Sequence, residues 1–378
     1  MDDYRSKFAG FSPLTYLDCA CQGPLPLASV ERIHRAADLK ARPDRLTSSD
    51  YFRLPERVRA RIAGLTGAAP EEIALTTSAT QGIGIVAAGL TLGPGDEVVV
   101  ASSNFPSNLF TWLQLRRKGV NVKVIHPGRE DVTPDLVLPA LSARTRVLAL
   151  DWVSYSTGLA IDLVPFGSLV HDCGGIFVVD GTQGVGANHL DLHSLPVDVM
   201  ACAAYKWLLG PYGTGFAYVA RSLLDKLDLS VVNWYSVEGA EDFDALPDVE
   251  FKLVHGARVF DAGETGNFIN LHGLEASLEL VEEFTVPKVH SHCRRLLKHL
   301  AEGLRERNYG LSAAALPGHE STILSFSAAD AAATAVVHQK LLQNQVVVSL
   351  RGGMIRVSPY MFNDVSDIDR LLEIAGRA

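Results

Sequence analysis

Cysteine is scarce in this chain. Five occur among 378 residues (Cys19, Cys21, Cys173, Cys202 and Cys293), an odd and widely spaced set. That usage excludes a disulfide scaffold and is expected of a reduced, cytoplasmic protein. Cys19-x-Cys21 is too tight for a zinc half-site of the usual spacing, and no second pair complements it. His189 and His193 stand four apart, but their Leu-Asp-Leu context before a proline reads as a short surface turn, so no metal is expected. Long apolar runs are missing as well: none would span a bilayer. The polar start MDDYRSKF has no apolar segment behind it and does not read as a secretory signal. Positive charge is not in excess either. Lys and Arg number 34 against 43 Asp and Glu, a formal charge of −9, which argues against nucleic acid as a partner. No internal repeat and no low-complexity tract is visible.

What is present is alternation. Apolar, β-rich runs recur at Ile73–Thr76, Glu97–Ala101, Val122–His126, Val147–Asp151, Ile176–Asp180, Asp198–Ala201 and Gly215–Val219. Several are continuously apolar, the pattern of parallel strands covered on both faces. Helix-length segments such as Thr80–Leu90 and Ser107–Lys118 lie between them. Together they predict an α/β fold around a mostly parallel, seven-stranded sheet covered by helices. After about Arg221 the pattern changes. Val237–Glu250 is acidic and aperiodic, as a surface excursion would be. From Asn267 a long helix is expected, with Leu271, Leu274, Leu278 and Val281 on one face. A smaller α+β C-terminal domain follows, with Thr322–Ser327 and Val346–Ser349 as strands. The expected division is an arm (1–22) packing with the small domain, a large domain (23–267) and a small domain (268–378).

The chemistry gathers at the strands' carboxyl ends, where ligands sit in such sheets. Asp180 closes the buried run Ile-Phe-Val-Val, a place where an acid is uncommon unless paired. Lys206 stands isolated between Ala-Ala-Tyr and Trp-Leu-Leu, out of place as a solvated charge. A desolvated lysine amine condenses with an aldehyde and shuttles protons, and a carboxylate keeps a pyridine nitrogen protonated; both are requirements of pyridoxal 5'-phosphate chemistry. Thr76-Thr77-Ser78-Ala79-Thr80-Gln81-Gly82 follows a strand and opens a helix, where unpaired N–H groups and the helix dipole favour a phosphate. A Rossmann oxidoreductase is poorly supported, because Gly181-x-x-Gly184-x-Gly186 lacks the dinucleotide spacing and leaves Lys206 unexplained.

In their order along the chain these motifs resemble the fold-type I pyridoxal-phosphate enzymes. Within them the chain is similar to the class V aminotransferase group, which includes the cysteine desulfurases and kynureninase. The resemblance runs from Tyr16-Leu17-Asp18 and Gly23-Pro24-Leu25-Pro26 to Ile355-Arg356-Val357-Ser358-Pro359. It implies that Ala79, by its backbone, and Thr80, by its hydroxyl, hold the cofactor phosphate. Phe105 would stack on the pyridine ring, Gln183 would donate to the phenolic oxygen, and Tyr205 would reach the phosphate. Asp180 would partner the pyridinium and Lys206 would bind the aldehyde. Tyr155 and Arg356 would hold the substrate, the arginine by clamping its α-carboxylate, with Arg351 a second candidate. Arg258 and Phe260-Asp261-Ala262-Gly263-Glu264-Thr265 resemble the segment that crosses to a partner's phosphate, so Thr265 and a homodimer with shared active sites are implied.

The reaction is narrowed by a gap. Desulfurases of this group carry a nucleophilic cysteine shortly before the carboxylate-binding arginine. Here only Gly-Gly-Met-Ile separates Arg351 from Arg356, and no cysteine follows Cys293. Kynureninase is disfavoured by Gln183 and Trp152. The leading expectation is therefore an aminotransferase-like enzyme acting on an α-amino acid. The alternatives are a lyase breaking a C–S or other Cβ bond, and a catalytically silent cofactor-binding protein.

Overall fold

Seven strands make the central sheet of the computed structural model, which describes residues 4–128, 132–229, 231–242, 251–263, 267–315 and 318–376. They are β1 (Ile73–Thr76), β2 (Glu97–Ala101), β3 (Asn121–Ile125), β4 (Thr145–Asp151), β5 (Ile176–Asp180), β6 (Val199–Ala203) and β7 (Gly215–Val219). Their spatial order is β1-β7-β6-β5-β4-β2-β3. The run from β6 to β3 is parallel throughout, whereas β7 is antiparallel to both of its neighbours. The continuous apolar runs have the expected cause. Val178 and Val179 of β5 point to opposite faces, belong to different core clusters, and are both fully buried.

The helix Phe268–Phe284, where the small domain was expected to begin, packs on the helices Leu27–Ala41 and Ser48–Thr66. Leu271, Leu274, Leu278 and Val281 join the core on one face of the large sheet. Ser277 Oγ lies 2.8 Å from Ser29 Oγ in that contact. A separate core holds Leu296, Leu300, Phe326, Ile355 and Leu371 with Leu17 of the N-terminal arm. Its sheet is four-stranded and antiparallel, built from Gly310–Leu311, Leu324–Ser327, Ser349–Arg351 and Met354–Val357. The expected strand Val346–Ser349 is split in two. Val346–Val347 pairs in parallel with Thr15–Tyr16, and Ser349 opens the next strand. No helix among the described residues is long and apolar enough to cross a membrane.

Candidate active site

The C-terminal ends of β4, β5 and β6 and the first turns of two helices enclose a cleft of about 500 Å³. Asp180, Gln183, Tyr205, Lys206, Ala79, Thr80, Phe105 and Tyr155 all line it. Residues as much as 128 positions apart, Ser78 and Lys206, thus meet in one cavity.

Lys206 follows β6 in a turn of unusual tightness. Leu209 sits in the left-handed region at φ 56°, costly for a branched side chain, and its N–H reaches the Lys206 carbonyl at 3.1 Å. Gly23, just past the arm, donates to the Tyr205 carbonyl at 2.9 Å, and a Cβ there would overlap the Lys206 carbonyl oxygen. The Lys206 side chain is 5 % exposed, and its Nζ lies 5.2 Å from the Phe105 ring centroid and 5.6 Å from that of Tyr205. Desolvation lowers its proton affinity below that of a free lysine, against the pull of Asp180.

Asp180 accepts from the Thr182 N–H at 2.9 Å. Burial raises its carboxyl above the ordinary range, opposed by the Thr182 bonds and Lys206. Gln183 is oriented by a partner that can only donate: Trp207 Nε1 bonds its Oε1 at 2.9 Å, which turns Nε2 to the Ala20 carbonyl at 2.9 Å. The second Nε2 proton is left over.

One part of the cleft wall is built from two helix N-termini. Ser78 caps Ala79–Gly89 by accepting from Gln81 N, and the first-turn amides of Ala79 and Thr80 have no acceptor within their helix. Thr80 Oγ1 donates to Ser107 Oγ at 2.8 Å, and Ser107 lies in the first turn of Pro106–Leu113. Dipoles, amides and hydroxyls therefore converge where an anion fits, in the same cleft as an amine and an acid suited to a pyridine aldehyde. The donor set fits pyridoxal phosphate.

Two expected residues stand apart. Arg356 does not line the cleft. It is 2 % exposed, ion-paired to Asp18 at 3.0 Å, and donates to the Tyr155 carbonyl at 2.6 Å. Its Nε alone has no partner. Thr265 lies outside the described residues. Three polar lining residues carried no reading from sequence: Ser107, Thr182 and Asp151, which ends β4. Hydroxyls at helix starts are too common to single out. The acid closing Val-Leu-Ala-Leu was the one available signal.

The family model for class-V aminotransferases matches residues 15–371. The chain belongs to the class V aminotransferase family. Among its relatives is a probable cysteine desulfurase of Methanothermobacter thermautotrophicus, 29% identical over 79% of this chain and 74% of that one. The isopenicillin N epimerase of Amycolatopsis lactamdurans is 28% identical over 95% and 94% of the two chains. Among solved structures, the cystine C–S lyase C-DES in complex with cysteine persulfide superposes with a TM-score of 0.86. It is 23% identical over 97% of this chain and 99% of that one, a likeness of fold. The fold is that of the fold-type I enzymes, and the cofactor of this class V enzyme is pyridoxal phosphate.

Proposed function

We propose that the protein is an aminotransferase acting on an α-amino acid, with Lys206 as both the anchor of the cofactor and the group that moves the proton at the substrate's Cα. The observation that carries this reading is the Lys206 amine, desolvated and facing a cleft whose lining includes no thiol. Pyridoxal phosphate, when bound, supplies an aldehyde that captures amines and a ring that accepts electrons. Asp180 holds the proton on the ring nitrogen, Phe105 stacks on the ring, and Gln183 donates its free Nε2 proton to the phenolic oxygen. Ala79, Thr80 and Tyr205 hold the phosphate, joined by Thr265 from a partner subunit in a homodimer. Tyr155 holds the substrate, and Arg356 serves it from behind the cleft wall, through the bond from its guanidinium to the Tyr155 carbonyl.

A second reading, cleavage of a C–S or other Cβ bond, is favoured by the relatives named cysteine desulfurase and by the fold match to a cystine C–S lyase. A desulfurase using its own persulfide is disfavoured. Arg351 pairs with Met354 across a two-residue turn in which Gly352 and Gly353 have φ of 55° and 78°, so no loop is present there to carry a cysteine. The test is an absorbance scan of the loaded enzyme against a panel of amino acids without keto acid. Stoichiometric conversion of the cofactor to its amine form supports transamination and names the donor. Turnover to pyruvate, ammonia or sulfide with the original band restored overturns it in favour of the lyase.

A further inference from the structure

The four-stranded sheet has an apolar face and a polar face, and the polar one is buried too. Leu324, Phe326, Ile355 and Val357 fill the core on one side. The residues that alternate with them stand in a row across three strands, Ser325 opposite Arg356 and Arg356 opposite Ser349, all buried. A hydroxyl or a guanidinium in such a place is costly unless it is bonded. Most of these bonds go to one turn. Residues 153–160 fold back on themselves, with Val153 bridged to Ala160, and Tyr155 on that turn lines the cleft. Four consecutive carbonyls of the turn each accept from a side chain on or beside the four-stranded sheet. Arg356 donates to that of Tyr155 at 2.6 Å, Ser325 Oγ to Ser156 at 2.7 Å, Ser312 Oγ to Thr157 at 2.8 Å, and Ser321 Oγ to Gly158. Among the described residues, none of the four accepts from a backbone N–H. The far end is fixed by close approach: Gly158 has φ 78°, and a Cβ there would lie 2.4 Å from the Ile323 carbonyl oxygen.

We propose that Ser312, Ser321 and Ser325 are positioning residues for Tyr155: with Arg356 they seat the turn that carries it, and so set where its side chain meets the substrate. None of the three lines the cleft, so their influence on binding travels through the turn. Apolar side chains could fill the same space but would not fix it, because a hydrogen bond has direction as well as attraction. Four of them to successive carbonyls leave the turn one seat on the sheet. What the seat controls is visible at its tip. The Tyr155 ring meets Phe105 edge-on, with centroids 5.2 Å apart and planes at 84°. Phe105 in turn lies 5.2 Å from Lys206 Nζ. A small displacement of the turn is thus felt where the amine stands.

The link to the substrate rests on the reading of Tyr155 as the residue that holds it; the seating of the turn does not. The first measurement is therefore fluorine NMR of the protein with 3-fluorotyrosine at position 155, with and without added pyridoxal phosphate. Ser312→Ala/Ser325→Ala is expected to shift and broaden that resonance. Ile355→Val, which lightens the core on the sheet's other face, is expected to leave it in place. An unmoved resonance in the serine variant, or an equal change in Ile355→Val, overturns the positioning role. The second measurement compares two reagents that capture the cofactor's aldehyde: aminooxyacetate, which carries a carboxylate as an amino acid does, and hydroxylamine, which carries none. The serine variant is expected to slow capture by aminooxyacetate about fivefold or more, the scale of one or two lost hydrogen bonds, and to leave hydroxylamine unchanged. In a Tyr155→Ala background the same substitutions are expected to add nothing, since their effect passes through that side chain. Unchanged capture of aminooxyacetate, equal slowing of both reagents, or a full further effect on top of Tyr155→Ala overturns the link to the substrate. Wild-type capture of aminooxyacetate by Tyr155→Ala itself overturns the reading of Tyr155, and a wild type without the lysine-bound cofactor's visible band overturns the cofactor reading. Either of these leaves the NMR result standing.

Discussion

Lys206 and Glu97 are both buried ions, and the fold treats them in opposite ways. Among the described residues Lys206 has no carboxylate within ion-pair distance, so its folded-state proton affinity lies below the ordinary 10.5 and the ammonium form costs stability. Lys206→Met should therefore raise the stability of the cofactor-free protein by about 1 kcal/mol near neutral pH while abolishing the cofactor's visible band. Because the unfolded chain binds the proton more tightly, wild-type stability rises with pH up to about 10.5, and the advantage of the variant should fade over that range. Urea unfolding at several pH values checks this, and a variant less stable than wild type would refute it. Glu97, 1 % exposed, is raised by burial but more strongly lowered by Lys123 at 2.5 Å, Ser142 and Arg144, which hold it at about 2. Glu97→Gln should cost about 2 kcal/mol at pH 7, because its charge-assisted bonds are lost while the freed cations Lys123 and Arg144 reach solvent. The depressed carboxyl contributes above its unfolded value of 4.5, so the gap between variant and wild type should narrow as pH falls from there toward about 2. Lys206 and Asp180 were legible because each is a lone charge in an apolar run. Arg356 was visible as an arginine but its partner was not, since Asp18 stands 338 positions away and nothing local announces the pair.

Strands were legible where burial on both faces leaves a continuous apolar run, and β1, β2, β5 and β7 fall on the expected bounds. The direction of β7 was not, because an apolar run reads the same in a parallel or an antiparallel pair. Nor was the allegiance of Phe268–Phe284. Its apolar face is periodic wherever it packs, and only the docking of Leu27–Ala41 and Ser48–Thr66 shows that it joins the core of the central sheet. The arm matters for the same tertiary reason. Residues 18–23 cross over the lysine turn, with Gly23 closed against the Lys206 carbonyl and Ala20 against Gln183. Gly23→Ala should push that turn aside. The expected result is a loss of cofactor affinity of about tenfold or more, the scale of a 1.4 kcal/mol disturbance, with a shifted visible band. Fluorescence titration of the cofactor-free variant checks it; an unchanged affinity would mean the arm packs on the turn without constraining it.

At the scale of the whole molecule, one ion pair joins three parts of the chain. Arg356 belongs to the four-stranded sheet, Asp18 to the N-terminal segment, and the Tyr155 carbonyl to the rim of the cleft beside the central sheet. Asp18 Oδ2 also accepts from Ser349 at 2.6 Å, so both of its oxygens are engaged. A buried pair of this kind gives little net stability when made, because desolvation offsets the attraction, but much is lost when only one partner is removed. Asp18→Asn keeps the shape and two of the contacts while leaving the Arg356 guanidinium buried against a neutral amide. The cost expected is about 3 kcal/mol or more, and it falls on the junction rather than on either core. Both hydrophobic cores stay intact in this variant, the large-sheet core with Leu278 and Val281 and the small one with Leu17 and Leu300. Calorimetry of the cofactor-free protein should therefore show one transition in wild type and a broadened or divided transition in Asp18→Asn, as the two cores lose their cooperativity. Added cofactor should restore part of it, by about 2.7 kcal/mol at a hundredfold excess over its dissociation constant, since it binds only the folded cleft. A variant that unfolds in one transition at the wild-type temperature would show that the arm and Arg356 merely lie against each other, and that other contacts, such as Ser325 Oγ to the Ser156 carbonyl and Tyr360 Oη to the Trp207 carbonyl, hold the two cores together.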